Sequence, residues 1–118
     1  MNARRCDVLL AYYPFSSGIG GKRRPVLVVQ DDRDNARMAS TIVAQITTTI
    51  ERASEPTHFL LLKLSAEGRA AGILHDSVVS CNNLATITDE RIQKVVGRLP
   101  PTAMVRIDAC LKAALDLK

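Results

Sequence analysis

The sequence predicts a mainly β protein of the α+β class, a small antiparallel barrel or strongly twisted sheet with one amphipathic helix at its C-terminal end. Three observations predict it. Short apolar, β-favouring runs separated by turn residues recur from residue 7 to residue 99. No βαβ alternation interrupts them. From Pro101 onward the apolar period changes to three and four residues, the spacing of a helix face. At 118 residues the chain reads as a single domain, 1–118, long enough to bury about two thirds of its unfolded surface.

Val8 to Tyr13 contains no charged residue and reads as a first strand buried on both faces, closed by Pro14-Phe15-Ser16-Ser17-Gly18. Gly18, Gly20 and Gly21 mark a mobile loop that delivers Lys22, Arg23 and Arg24 to the mouth of a second strand running through Gln30. Pro25 has a fixed φ and disfavours the helical region for the residue before it. Arg24 is therefore expected to be held extended while Lys22 moves freely. The run Asp31-Asp32-Arg33-Asp34-Asn35 reads as a solvated turn. Ser40 to Ile46 forms a third strand that ends in Thr47-Thr48-Thr49, and Phe59 to Leu64 a fourth with a buried centre.

Ser65 to Gly72 suits a helical turn or tight loop. Ser77 to Ser80 and Leu84 to Ile87 read as one strand kinked at Asn82-Asn83, and Ile92 to Val96 as the last strand after a turn of helix at Asp89-Glu90-Arg91. Pro101 fits a first helical position. Met104, Ile107, Leu111, Ala114 and Leu115 then make the inward stripe, and Asp108 and Lys112 are placed for an i,i+4 ion pair.

An apolar share of 47% and a charged share of 24% are ordinary for a folded protein, which excludes global disorder. Tyr12, Tyr13, Phe15 and Phe59 are the only aromatics, so the core is aliphatic and any base-stacking surface small. The net charge of +4 is compatible with a polyanionic partner, and Arg4, Arg5, Lys22, Arg23 and Arg24 concentrate it in the first quarter of the chain. Cys6, Cys81 and Cys110 lack metal-binding spacing and fit reduced thiols, with Cys81 and Cys110 in the core. Neither a signal peptide nor a membrane-length apolar run is present, so a soluble cytoplasmic protein is expected.

His58 and His75 are lone histidines that read as surface or satisfied residues, and no hydrolase triad or P-loop pattern is visible. Arg24 and Thr47 remain, each at the end of a predicted strand. A guanidinium fork and a threonine hydroxyl could hold one phosphodiester together. Equally, the two could be a solvated strand-end charge and an edge β-former.

The segments resemble, in order along the chain, the MazF/PemK-like toxins of bacterial toxin–antitoxin pairs. Arg5-Cys6-Asp7-Val8 is similar to the family's opening Arg-Gly-Asp-Val, and Lys22-Arg23-Arg24-Pro25-Val26-Leu27-Val28-Val29 to its Arg-Pro signature. Val43-Ala44-Gln45-Ile46-Thr47, Ser77-Val78-Val79, Leu84-Ala85-Thr86-Ile87 and Val96-Gly97-Arg98-Leu99 continue the series. The resemblance implies an SH3-like barrel that dimerises and a metal-independent, cofactor-free endoribonuclease cutting single-stranded RNA at short sequences. In that chemistry the substrate's 2′-hydroxyl attacks the adjacent phosphate, leaving a cyclic phosphate and a 5′-hydroxyl. Carried over by residue, Arg24 and Thr47 are catalytic, while Lys22, Arg23, Ser16 and Ser17 bind RNA.

The implied protein partner is a cognate antitoxin with an acidic, disordered tail. Cys6 replaces the family's usual Gly, Tyr12 stands where many members have Asp, and Ile19 where many have Glu, so the general base is not assigned by the resemblance. The alternative is a non-catalytic barrel: a degenerate toxin that only binds its antitoxin, or a topoisomerase poison like CcdB. CcdB-like proteins act through a C-terminal Trp-Gly-Ile, and this chain ends Leu115-Asp116-Leu117-Lys118 with no Trp.

Overall fold

The computed structural model describes residues 3–15 and 17–118. Its strands are β1 (Asp7–Pro14), β2 (Gly21–Val28), β3 (Ser40–Thr47), β4 (His58–Leu61), β5 (Ser77–Thr88) and β6 (Ile92–Arg98). Helices α1 (Asp32–Arg37), α2 (Ala66–Ala71) and α3 (Pro101–Leu115) and a 3-10 turn at Asp89–Arg91 complete it. All strand pairs are antiparallel, in the order β4-β5-β3-β2-β1-β6. The sheet is barrel-like but open, since its edge strands β4 and β6 do not pair.

Alternating side chains bury both faces. Val8, Leu27, Ala44, Ile46 and Val79 pack beneath Met104, Ile107 and Cys110 of α3, whereas Leu9, Ala11, Tyr13, Val26, Val28, Val43 and Ile87 fill the opposite side. This explains the unbroken apolar character of β1. Asp7 closes the β1–β6 seam, accepting from Arg98 Nη1 at 2.8 Å and from the Arg4 amide at 2.9 Å.

Several expectations are corrected. The acidic run after Gln30 is not a solvated turn. Asp31 caps α1 by accepting from the Arg33 amide, and Asn35 is buried, bonding Gln30 and Thr41. The fourth strand stops at Leu61 and its side chains alternate: Phe59 and Leu61 are buried, Leu60, Leu62 and Leu64 exposed. In α3, Leu115 lies outside the buried stripe, and Asp108 pairs with Arg5 Nη2 at 2.6 Å rather than with Lys112. Lys22 and Arg23 are not on a mobile loop either. The chain reverses early, with Gly18 and Gly20 at positive φ, so β2 starts at Gly21 and both cations already belong to it.

Cys6 adopts φ +84°, a left-handed conformation that suits the glycine found there in the family and strains any other residue. Cys6→Gly is therefore expected to raise stability by about 1 kcal/mol, read as an increased urea midpoint, despite the lost side-chain packing.

Cys81 and Cys110 are buried together between β5 and α3. Burial pushes the Cys81 thiol up to about 12, with the nearby Cys110 and Asp108 adding to the rise. Because the folded value lies above the unfolded one, the neutral thiol's contribution is complete below about pH 9 and is lost as pH climbs through about 12. Stability should fall across that window, and Cys81→Ala should flatten the fall in alkaline denaturation curves.

Candidate active site

Strand period places Lys22 and Arg24 on one face of β2 and Arg23 on the other. Arg24 pairs across β1 with Ala11, and Lys22 with Tyr13. On the other side, the β2–β3 ladder begins at Val26↔Gln45, immediately after Pro25, a residue with no N–H to donate. Continuing that register by two residues sets Arg24 opposite Thr47. The strands no longer bond there, and a groove opens between them.

Lys22, Arg24, Gln45, Thr47, Ser80 and His58 line this groove together, with Glu51 and Arg52 at its outer end. The Arg24 guanidinium lies 5.7 Å from the Tyr13 ring centroid. Its Nε is buried and has no hydrogen-bond partner among the described residues. An unsatisfied buried donor costs about 1–3 kcal/mol. Tyr13 is itself buried, which pushes its hydroxyl up against the opposing influence of Arg24, and the OH donates to the Asn83 carbonyl at 2.9 Å. Thr47 Oγ1 accepts from the Thr49 amide at 3.2 Å, which orients the hydroxyl while leaving its proton free.

β5 contributes through a bulge. Its register against β3 skips from Ser80 to Leu84, so Cys81, Asn82 and Asn83 all fall opposite the Ala44–Gln45 step. Such insertions re-aim side chains. Here Asn82 and Asn83 reach the groove wall, and Asn83 Nδ2 donates to Ser80 Oγ at 2.8 Å.

The fold thus brings together Arg24, Thr47 and Lys22. Ser17 borders an adjoining pocket on the other side of Arg24, its Oγ accepting from the Ile19 amide at 3.3 Å. Arg23 alternates to the other face of β2 and is absent from this groove's lining, but with Lys22 and Arg24 it borders a further, mostly apolar groove that Lys94, His75 and Leu74 also line. Ser16 lies outside the described residues. The groove also takes in His58, which bonds Thr57 Oγ1 as a satisfied histidine would, and Gln45, Ser80, Asn82 and Asn83, which the sequence alone did not single out. His58 opens a strand that pairs with β5 at Ser80, which brings it to the groove. The Tyr12 departure falls on the face away from Arg24, where its ring stacks with Arg91 at 5.0 Å. Among the described residues no group of three or more His, Cys, Asp or Glu side chains could hold a metal.

Fold and site together define a small open β-barrel with a cationic, hydroxyl-bearing groove fit for a phosphodiester. The profile of the PemK-like, MazF-like toxins of type II toxin–antitoxin systems matches residues 4–115, and the chain belongs to that family. It is 32% identical over 118 residues to the endoribonuclease EndoA of Bacillus subtilis, covering 99% of this chain and 97% of that one. It is 31% identical over 115 residues to the endoribonuclease MazF of Staphylococcus epidermidis, covering 97% and 92%. In fold it is similar to an endoribonuclease from a mycobacterial species solved with its cognate antitoxin, at a TM-score of 0.76 and 22% identity over 98% of this chain and 97% of that one.

Proposed function

We propose that this protein is an endoribonuclease toxin that cleaves single-stranded RNA without metal. The observation that carries the reading is the convergence of Arg24, Thr47 and Lys22 on one groove. The substrate's 2′-oxygen bonds to the adjacent phosphorus, the bond to the 5′-oxygen breaks, and a 2′,3′-cyclic phosphate and a 5′-hydroxyl result. Arg24 stabilises the extra charge of the phosphorane-like transition state, and Thr47 donates to a phosphate oxygen. Lys22 adds attraction to the phosphates, a salt-sensitive and sequence-independent contribution. Arg23, on the other face, adds to the same attraction at longer range.

The 2′-hydroxyl must lose a proton, and the groove's two acceptors are His58 and Glu51. We assign the role to His58, which is half-buried and held by Thr57 Oγ1 at 2.8 Å from Nδ1, whereas Glu51 is exposed. In the tautomer whose Nδ1–H donates to Thr57, Nε2 is the free base; the leaving oxygen takes its proton from water. His58→Gln is expected to lower kcat by about 100-fold or more. Cleavage that survives His58→Gln but is lost in Glu51→Gln would transfer the role to Glu51.

Relatives named as endoribonucleases and a similar fold solved with its antitoxin support a cognate antitoxin partner, whose acidic tail would lie along the cationic groove. The protein is further read as a cytoplasmic homodimer; no helix among the described residues is long and apolar enough to cross a membrane. Incubation with long single-stranded RNA in excess EDTA tests the activity. Cleavage by the wild type and its loss in Arg24→Ala are expected, and RNA left intact by the wild type would overturn the reading.

A further inference from the structure

Tyr13 does not line the groove of Arg24 and Thr47, yet the Arg24 guanidinium lies over its ring, 5.7 Å from the centroid. The strand register explains the contact. Arg24 stands opposite Ala11, and Tyr13 lies two residues further along β1 on the same face. An aromatic ring and a long side chain span that diagonal.

We propose that Tyr13 is a positioning residue: its ring fixes the plane of the Arg24 guanidinium, and the bulge of β5 fixes the ring. For its effect on RNA cleavage this rests on the ribonuclease reading. An arginine side chain has several rotatable bonds, and no ion pair among the described residues includes Arg24. Nor does its Nε have a hydrogen-bond partner there. The face of an aromatic ring attracts a cation, and a flat guanidinium stacks on it in a way that a spherical ammonium cannot. The ring therefore limits the directions in which the donor fork can point, and those donors act only if they meet developing charge. An aliphatic side chain at this position would pack but would offer neither a ring face nor a hydroxyl.

The ring is itself held. Tyr13 is 8% exposed, and its hydroxyl donates to the Asn83 carbonyl at 2.9 Å. In the sheet β2 and β3 separate β1 from β5, so this bond reaches across both. It can form because Asn83 falls in the bulge and has no partner on β3 to claim its carbonyl. Asn83 Nδ2 in turn donates to Ser80 Oγ at 2.8 Å, and the buried Ser80 pairs with Gln45 on one side and with His58 on the other. Ser80, Asn83 and Tyr13 thus tie the Arg24 guanidinium to the strand pair that carries His58.

Two measurements on the full chain test the role. The first needs no cleavage: NMR relaxation of the Arg24 Nε–H should give an order parameter near that of rigid backbone, about 0.85, in the wild type. It should fall below about 0.6 in Tyr13→Leu and lie between the two in Tyr13→Phe, which keeps the ring but frees it from Asn83. The second is kinetic. With long single-stranded RNA, Tyr13→Leu should lower kcat by about 10- to 100-fold with KM nearly unchanged, and Tyr13→Phe should lower it by less. In the Arg24→Lys background Tyr13→Leu should cost little more, because an ammonium has no plane to orient. Melting curves establish that each variant is folded at the assay temperature. An Nε order parameter unchanged in Tyr13→Leu, or a loss of kcat as large in the Arg24→Lys background as in the wild type, would overturn the proposal. An ordered Nε that loosens in Tyr13→Leu, in a protein that leaves RNA intact, would keep Tyr13 as the restraint on Arg24 and remove the ribonuclease reading. Cleavage indifferent to Tyr13→Leu would do the reverse.

Discussion

Replacing Arg24 with lysine is expected to lower kcat for RNA cleavage by about 100- to 1,000-fold, with a much smaller change in KM. The substitution keeps the positive charge and with it the long-range attraction for phosphate. It removes the planar fork, whose donors are placed where transition-state charge develops, and loss of one such donor costs about that much in rate. Arg23→Lys is the matched control, because Arg23 lies on the other face of β2. It should leave kcat intact and, because it keeps the charge, the salt dependence of KM as well. Equal losses in the two variants would dissolve the distinction between them. Arg24→Met carries a second, opposite expectation: deleting a buried donor that has no partner should raise stability by about 1 kcal/mol while activity disappears.

A large loss of stability is expected from Gly97→Ala. Gly97 of β6 and Gly72, at the end of α2, pass each other backbone to backbone. A Cβ on Gly97 would run into the Ala71 carbonyl carbon and the Ala70 and Ala71 carbonyl oxygens, and a Cβ on Gly72 into the Val96 carbonyl. No flexible side chain can yield there; the helix must move away from the strand. Overpacking of this kind costs about 3 kcal/mol, equivalent to a fall in Tm of about 10 °C for a chain of this size. Gly18→Ala separates sterics from backbone strain, since Gly18 has positive φ with nothing near its Cβ position. That variant should lose only about 1 kcal/mol. If Gly97→Ala melts no lower than Gly18→Ala, the close approach of β6 and α2 is not a determinant of stability.

These two sites show unequally what the sequence makes legible. The strands were readable because alternating or unbroken apolar runs report burial, and β1 is buried on both faces as its composition requires. The short helix α1 was hidden because Asp and Asn serve turns and helix starts alike. The distinguishing signal was Asp31 ahead of two acids in the first turn and Arg37 in the last, a capping pattern rather than a composition. The fourth strand was overextended because Leu60, Leu62 and Leu64 look like core residues although they are exposed in the described chain.

At the site, Thr47 was legible as a strand-end residue, whereas Arg24 lies inside β2, whose pairing with β3 stops at Val26 just beyond it, and that end of the ladder accounts for the separation of the two into a groove. The grouping of cations was misjudged. Reading Lys22 and Arg23 as one mobile pair ignored the strand period that puts Lys22 with Arg24 and sends Arg23 to the other face. His58 and Asn83 were illegible for a different reason: they arrive from β4 and from a bulge, and the register that brings them there is a long-range property of the sheet.

The central claim is that RNA supplies its own nucleophile, while the protein positions and neutralises the phosphate and takes up the 2′-proton. Mass spectrometry of the ends of RNA cut in excess EDTA tests it most directly. The expected products carry a 2′,3′-cyclic phosphate on one fragment and a 5′-hydroxyl on the other. Fragments bearing a 5′-phosphate and a 3′-hydroxyl would contradict it.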